Sequence, residues 1–315
     1  MFKYIVKRLA SSLLTLFIVV SFVFALLRLM PETGYFDAVE YDKMDEFQIE
    51  QALTNMGLRD PFPVQLFNFW KNVLTFNFGR STRYHPNVDV VEIILPKIPY
   101  SLMFGLGAMV VELVLGISLG VAMGRKVNGF MDRLGNGYIV LMKAMPGAVI
   151  HLFVQVFLSS ILGLPMLFNP EKPISWLLPI TSMALGGISS YAMWIRRYVV
   201  DQMTGDYVKF ARSKGVSSWK LMFQHVLRNA FVPMSHNVPM NILATISGSL
   251  YVEGLYSIPG TGGLMIQAIK SQDNPLVQTL VLMYSSIGVF GLFLGDLMLM
   301  LCDPRIKLTS KGESR

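Results

Sequence analysis

Six long apolar stretches constrain the fold of this chain more than any other feature of its sequence. Each is close to the ~20 residues that a helix needs to cross the hydrocarbon core of a bilayer. Charged residues make up only 15% of the chain, whereas soluble domains carry about a quarter. The sequence therefore predicts an all-α integral membrane protein with six transmembrane helices, at about 9–30, 98–124, 134–161, 174–195, 233–257 and 276–301.

The distribution of Lys and Arg predicts the orientation of these helices. If the N-terminus is cytosolic, the inside segments hold 17 of the 27 basic residues and the outside segments hold eight. Short loops rich in Lys and Arg mark the cytosolic side of a membrane. We therefore expect both termini in the cytosol, with inside segments at 1–8, 125–133, 196–232 and 302–315.

The segment between the first two predicted helices has a composition of its own. Residues 31–97 contain ten acidic and six basic residues, and structureless loops of this length are uncommon. Helical periodicity predicts one helix from Asp45 to Met56 and another from Pro63 to Leu74. We expect a small helical extracytoplasmic domain, which either braces the helix bundle or docks an extracytoplasmic partner.

The chain is thus expected to have four parts. These are an N-terminal interfacial segment with transmembrane helix 1 (1–30), the extracytoplasmic domain (31–97), the core with helices 2–6 and the 196–232 loop (98–301), and a cytosolic tail (302–315). Within the core, Gly116, Gly120 and Gly124 lie four residues apart, which predicts close helix packing. Pro146 predicts a kink in the third helix.

Several classes of function are excluded by what the sequence lacks. The net charge of +7 is spread over short inside loops without a zinc-ligand cluster or RNA-binding motif, so we expect no nucleic-acid partner. The single Cys302 supplies no disulfide and no Cys-rich metal site. A phosphate-binding G-x-x-x-x-G-K-[ST] loop is missing, so the chain cannot cradle ATP. We predict no catalytic residues, no metal site and no cofactor in this chain.

Glu112 and Lys143 are the ionisable residues placed deepest in the predicted helices. Counted from Arg125 and Arg133, they lie 13 and 10 residues into the membrane, or roughly 20 and 15 Å deep. Charges at such depth need a partner or water. We expect an intramembrane ion pair or a shared aqueous pathway; the alternative is a neutral Glu112 with Lys143 reaching to the interface. Asp296, Arg28 and Glu253 lie near helix ends and are expected at the interface.

The 196–232 loop carries the strongest local pattern. Tyr207, Phe210, Ala211 and Lys214 fall at helical spacing, and Gly215 ends the pattern as a C-terminal cap. A second amphipathic stretch runs over 218–230, and Ser217 or Ser218 can cap its start. Such a helix could dock a soluble partner or rest on the inner leaflet.

This loop resembles that of a known family. Asp206-Tyr-Val-Lys-Phe-Ala-Arg-Ser-Lys-Gly215, followed by His225-Val-Leu-Arg-Asn-Ala-Phe-Val-Pro233, is similar to the cytosolic loop of binding-protein-dependent ABC importer permeases of the dipeptide/oligopeptide/nickel subgroup. The family usually has Glu at the position of Asp206. The outside domain and the start of the third helix match loosely, which leaves the substrate open.

Further segments carry the same resemblance. They are Lys7-Arg8-Leu9, Glu253-Gly-Leu-Tyr-Ser-Ile-Pro-Gly-Thr-Gly-Gly-Leu264, Asp273-Asn-Pro275 and Asp303-Pro-Arg-Ile306. The large segment after the first helix resembles the B-type permease rather than its C-type sister. The resemblance implies the type I ABC importer permease fold.

The resemblance also implies a site. The helix around 206–220 would be a coupling helix seated in a groove of a nucleotide-binding subunit, with Asp206 at its start. Tyr207 and Phe210 would be its anchors, and Arg212 and Lys214 would pair with acids of that subunit. Ala211 and Gly215 would form a small-residue surface that enters the groove.

The resemblance finally implies an assembly in a bacterial plasma or inner membrane. The expected partners are a homologous second permease, two ABC ATPase subunits carrying ATP and magnesium, an extracytoplasmic substrate-binding protein, and membrane lipid. The expected cargo is a di- or oligopeptide, with nickel, glutathione or an oligosaccharide as alternatives. An ion-coupled secondary transporter is the alternative of another class, but it requires paired intramembrane acids and an inverted repeat.

Overall fold

A computed structural model of the protein describes residues 2–302, except for the side chains of residues 2–4 and 38. Within this range the chain is helical, apart from loops and one isolated antiparallel bridge between Arg80 and Asp89. Most of the expected tail, including the segment Asp303-Pro-Arg-Ile306, lies outside the described residues.

The first third of the chain contains two long helices and a group of short ones between them. The helices are α1 (Phe2–Leu27), α2 (Ala38–Tyr41), α3 (Glu46–Asn55), α4 (Phe62–Leu74), α5 (Val90–Ile94) and α6 (Ile98–Arg125), with 3-10 turns at Glu32–Tyr35 and Leu95–Lys97. The two helices expected within 31–97 are thus present as α3 and α4. Asp45 caps α3 through a capping box, in which its side chain accepts from the Gln48 N–H at 2.7 Å.

The remaining helices are interrupted more often than the sequence predicts. They are α7 (Phe130–Ala144), α8 (Gly147–Phe153), α9 (Ser159–Leu162), α10 (Leu177–Met203), α11 (Asp206–Ser213), α12 (Ser218–Lys220), α13 (Leu227–Ser235), α14 (Asn237–Ser247), α15 (Leu250–Tyr256), α16 (Thr261–Ser271) and α17 (Asn274–Cys302). A 3-10 turn covers Pro173–Trp176, and π-helical turns cover Val154–Leu158 and Leu221–Val226.

Three helices of the described chain are long and apolar enough to cross a membrane by themselves: Ile5–Leu27, Val90–Arg125 and Asn274–Cys302. The pair Phe130–Ala144 and Gly147–Leu162 adds a fourth if it is counted as one bent span. The protein is therefore a multi-pass membrane protein whose described residues form helices and loops, and the count of six spans stays a prediction.

The third predicted helix is broken rather than kinked. The helix axes on the two sides of Met145 and Pro146 differ in direction by 109°. Met145 has an extended backbone (φ −90°, ψ 137°), which is the conformation that a following proline favours. A single helix from 134 to 161 with a proline kink was therefore the wrong expectation.

The glycines of α6 pack against α10 as expected. An added Cβ would lie 2.6 Å from the Tyr191 Cβ at Gly116 and 2.8 Å from the Ala192 carbonyl oxygen at Gly120. At Gly124 it would lie 2.7 Å from a Val199 methyl group. Because no side chain fits at these positions, the two backbones approach closely along most of their shared length.

Asp273 fastens the 31–97 segment to the start of α17. Its buried carboxylate accepts from the Ser81 hydroxyl at 2.5 Å and from the backbone N–H groups of Thr82, Arg83 and Tyr84 at 3.0–3.1 Å. The neighbouring Asn274 amide donates to the Pro31 carbonyl oxygen at 3.0 Å. The segment is thus attached to the helix bundle at both of its ends.

A surface ion-pair group adds order within the segment itself. The Arg59 guanidinium contacts the carboxylates of Glu32 and Glu50, at 2.6 and 2.7 Å. Its hydrogen bond lowers the pKa of the exposed Glu50 carboxyl. Exposed pairs of this kind contribute little to stability.

Candidate functional site

The helix expected in the 196–232 loop is present as α11. It ends in a Schellman motif, in which the Val216 N–H bonds to the Ala211 carbonyl at 3.2 Å and the Gly215 N–H bonds to the Arg212 carbonyl at 3.0 Å. Gly215 has φ +75°, a left-handed conformation that glycine adopts without steric cost. The glycine therefore fixes the point where α11 ends and the chain turns toward α12.

One face of α11 is anchored in a buried cluster that we name the loop core. Its central member is Val208, which is fully buried. Its other members include Ile195, Val199, Leu221, Met222 and Val226. Because the cluster combines side chains of α10 with those of the π-helical turn after α12, α11 is fixed to both.

The opposite face of α11 and the start of the next helix carry aromatic side chains that are exposed on the protein surface. Phe210 is 61% exposed and Trp219 is 67% exposed. The Lys214 ammonium lies 4.3 Å from the centre of the Phe210 ring, and Trp219 packs on Phe223 with ring centres 4.2 Å apart. Large exposed apolar groups next to positive charge are typical of a binding surface.

The charged residues of α11 lie on this exposed side. Asp206 pairs with Lys209 at 2.8 Å, and both side chains are largely exposed. Arg212 is also exposed. Among the described residues, neither Arg212 nor Lys214 forms an ion pair with a carboxylate. Both charges are available to a partner.

Two residues of the expected partner-binding surface are less exposed than that surface would require. Ala211 is half buried and packs against the loop core, so it faces inward. Tyr207 is 37% exposed, and its hydroxyl donates to the Gln202 side chain at 2.7 Å. Gly215 has open space around it. The outer surface of α11 therefore consists mainly of Phe210, its basic neighbours and the glycine turn.

An ion pair at the base of the loop was not foreseen. Asp132 is almost fully buried and accepts two hydrogen bonds from the Arg196 guanidinium, at 2.5 and 2.9 Å. It also accepts from the Asn128 N–H at 2.8 Å. Bidentate pairs of this kind fix geometry strongly. The pair ties the start of α7 to α10, and the only sequence signal for it was the presence of opposite charges in two inside segments.

Glu112 and Lys143 both contact α10 but do not contact each other. The Lys143 ammonium donates to the Ser190 hydroxyl at 2.8 Å. The Glu112 carboxyl lies against Gly187, where an added Cβ would overlap it. The described residues contain no ion pair between the two. The direct pair is absent from this structure, and a shared pathway along α10 stays a prediction.

Glu253, which the sequence places near a helix end, is buried inside the protein. It is 1% exposed. Its carboxylate accepts from the Ser101 hydroxyl at 2.8 Å, the Gly263 N–H at 3.0 Å and the Ser249 N–H at 3.2 Å. Thr261 joins the same network through its N–H, which donates to Ser101 at 2.8 Å. A buried carboxylate thus holds α6, α15 and α16 together.

The other two residues expected at the interface have partners as well. Asp296 pairs with Arg8, which joins α17 to α1, and lies 3.6 Å from a ring nitrogen of His236. Arg28 donates to the Tyr35 hydroxyl at 3.2 Å and to the Leu58 carbonyl at 3.1 Å. Both residues connect α1 with distant parts of the chain.

Comparison with known proteins finds relatives that are named as peptide-transport permeases. The chain is 29% identical to the dipeptide transport system permease protein DppB of Bacillus subtilis (strain 168), over 99% of this chain and all of that protein. It is 26% identical to the oligopeptide transport system permease protein OppB of Haemophilus influenzae, over 98% of this chain and all of that protein. The oligopeptide transport system permease protein AmiC of Streptococcus pneumoniae is 36% identical over 66% of this chain and 42% of its own length.

Two family models cover nearly the whole sequence. Residues 1–104 match the N-terminal model of binding-protein-dependent transport system membrane components. Residues 116–308 match the main model, and this range includes α11, the loop core and Glu253. The chain belongs to the family of binding-protein-dependent transport system inner membrane components.

Proposed function

We propose that this chain is the B-type permease subunit of an ATP-driven ABC importer for di- and oligopeptides. The names of the relatives, which are dipeptide and oligopeptide permeases, support the cargo. The observation that carries the mechanism is the exposed Phe210, placed on a short helix whose other face is locked into the loop core. This arrangement suits a helix that receives force from a partner and passes it on.

In the proposed mechanism, α11 is a coupling helix seated in a groove of an ABC ATPase subunit. Phe210 is the anchor, and Arg212 and Lys214 pair with acids at the rim. ATP and magnesium are held by two such ATPase subunits. When these subunits close, α11 moves with α10 because Val208 is packed against Ile195 and Val199. The Asp132–Arg196 pair carries the displacement to α7.

The proposed topology has six crossings and cytosolic termini, in the plasma or inner membrane of a bacterium. The crossings are α1, α6, α7–α9, α10, α13–α15 and α17. A homologous permease pairs with this chain, and an extracytoplasmic binding protein delivers the cargo. The attachment of 31–97 through Asp273 supports a bracing role for that domain.

We further propose that the translocation pathway runs along α10 past Glu112 and Lys143. Both side chains reach the same stretch of α10, at Gly187 and Ser190. These positions are three residues apart, hence one helical turn. The separation leaves both charges free to interact with a polar cargo.

The coupling proposal is tested with Phe210→Ala in the assembled, reconstituted complex. Loss of an exposed aromatic anchor costs about 2 kcal/mol at a protein interface, or roughly thirtyfold in ATPase-subunit affinity. We expect uptake of labelled dialanine and of a labelled hexapeptide to fall, together with the stimulation of ATP hydrolysis by loaded binding protein. Uptake of nickel ions is measured in parallel to test the cargo.

Phe130→Ala is the matched control, since Phe130 is 72% exposed at the start of α7 and lies on the same predicted side of the membrane. It should leave assembly and uptake unchanged. Equal behaviour of the two variants would contradict the coupling role of α11. Uptake by the isolated chain, driven by an ion gradient, would instead favour a secondary transporter.

A further inference from the structure

Two adjoining cavities lie between α1, α4 and α17. One has a volume of about 410 Å³ and the other of about 740 Å³. Val73, Phe78, Thr279 and Leu282 contribute to the walls of both. They are therefore two compartments of one site, and each falls within the range of roughly 300–1,000 Å³ that is common for ligand sites.

The smaller compartment is the more polar of the two. Arg28 is the one charged side chain in its wall, and the amide side chains of Asn68, Asn72 and Gln278 also line it. Arg28 donates to the neutral oxygens of Tyr35 and Leu58, and in the described part of the chain it forms no ion pair. An unneutralised guanidinium among amide donors suits an anionic group such as a phosphate.

The larger compartment is apolar. Most of its wall consists of aliphatic and aromatic side chains, including Leu13, Phe17, Leu74, Ile94 and Met283. The indole N–H of Trp70, which also lines it, is already bonded to the Ser21 hydroxyl at 2.9 Å. The compartment therefore offers almost nothing to a polar ligand and suits a hydrocarbon chain.

The order of the compartments matches the polarity of a membrane leaflet. Arg28 lies just beyond the end of α1, whereas Leu13 lies 15 residues earlier, or about 22 Å deeper along the helix. α4 follows α1 toward that depth, because Trp70 stacks on Phe17 with ring centres 5.1 Å apart. If α1 crosses the membrane as proposed above, the more polar compartment is at the membrane surface and the apolar one is nearer its middle.

The exposed apolar surface of α1 continues onto the outer side of α4. Phe67 and Leu74 on α4 are 70% and 75% exposed, and Phe76, just after α4, is 80% exposed. Leu13 on α1 is 58% exposed. Exposed apolar patches of this kind are rare on water-facing surfaces, and Lys71 is the one charged residue of α4.

We propose that α4 lies in the membrane leaflet on the side of the C-terminal end of α1, and that the two compartments bind one glycerophospholipid. The phosphate occupies the polar compartment beside Arg28, and one acyl chain occupies the apolar compartment. This assignment places part of the expected extracytoplasmic domain 31–97 within the membrane leaflet.

Native mass spectrometry of the purified full-length chain, delipidated and then titrated with phosphatidylglycerol, tests the site. We expect one tightly held lipid for the wild type. Arg28→Gln should weaken binding roughly tenfold, as expected for the loss of a charge-assisted hydrogen bond. Val73→Trp, which fills the junction of the compartments, should abolish it. Leu14→Trp is the matched control, since Leu14 is 59% exposed on α1 and lines neither compartment.

A second measurement keeps the proposal falsifiable if Val73→Trp fails to fold. Phosphatidylglycerol with a photoreactive acyl chain should label residues 62–78 of the wild type in the assembled complex. Absence of that labelling would overturn the proposal, because it would mean that another protein chain covers the groove. Displacement of the lipid by inorganic phosphate alone would also overturn it, in favour of a free-phosphate site. The accessibility of α4 is tested in a Cys302→Ser background. Equally fast reaction of Leu74→Cys and Asn87→Cys with a membrane-impermeant maleimide would overturn the proposal, because it would place position 74 in water.

Discussion

Asp273 joins residues that lie about 190 positions apart in the sequence, and one carboxylate oxygen accepts all four hydrogen bonds from residues 81–84. Such a residue concentrates the attachment of a whole segment in a single side chain. The Glu253 network is of the same type, since its partner Ser101 is 152 residues away. Neither role could be predicted from local sequence patterns, because the pattern around a residue does not reveal a partner on a distant helix.

Replacing Asp273 should release the 31–97 segment. Asp273→Ala leaves three backbone N–H groups without an acceptor, and we expect the free energy of opening to fall by about 3 kcal/mol. Cleavage of the segment by added protease should then be about two orders of magnitude faster. Asp273→Asn keeps one acceptor, so its cleavage rate should lie between those of Asp273→Ala and the wild type. Equal cleavage rates for all three proteins would show that the segment is held elsewhere.

Two adjacent glycines of α10 offer a matched pair of substitutions. A Cβ at Gly187 would overlap the Glu112 carboxyl, whereas a Cβ at Gly186 meets no atom within 4 Å. Gly187→Ala should therefore lower stability by about 1–3 kcal/mol through overpacking, and Gly186→Ala should be neutral. Thermal unfolding of the purified protein in detergent measures both. A neutral Gly187→Ala would mean that Glu112 moves aside easily.

At the scale of helices, the helix ends that carry a local sequence signal were predicted correctly, whereas the interruption of the third predicted helix was not. Asp45 and Gly215 mark helix ends through their own side chain or backbone, so α3 and the end of α11 were predictable. The 109° turn at Pro146 was underestimated, because a proline alone does not tell whether a helix bends or ends. The inward position of Ala211 depends on the loop core, which α10 and the π-helical turn complete.

The end of α11 can be tested through Gly215. Gly215→Val places a β-branched residue at φ +75°, which should cost about 1–3 kcal/mol locally. Hydrogen exchange over 206–216 should accelerate, and peptide uptake should fall while the protein stays in the membrane. Gly215→Asn is the control, because asparagine tolerates this conformation better. Unchanged exchange in the Val variant would contradict the capping role.

At the scale of the whole molecule, the membrane topology is open to direct test. In a Cys302→Ser background, Ser213→Cys should react with a membrane-impermeant maleimide only after the cells are permeabilised. Glu171→Cys should react in intact cells, since the proposed six crossings would place this loop outside. The two positions flank α10 and are both exposed. Labelling of both from the same side would rule out a crossing by α10.

α10 is a long continuous helix between interrupted neighbours, and a continuous helix is stiff. Its 27 residues span about 40 Å without a break, while the neighbouring chain is interrupted at Pro146 and at Gly248. A continuous helix moves as one unit, so we expect a tilt imposed at its Val199 end to appear at its Leu178 end as well. The neighbouring helices can bend at their interruptions, so they need not move as rigid bodies when α10 tilts.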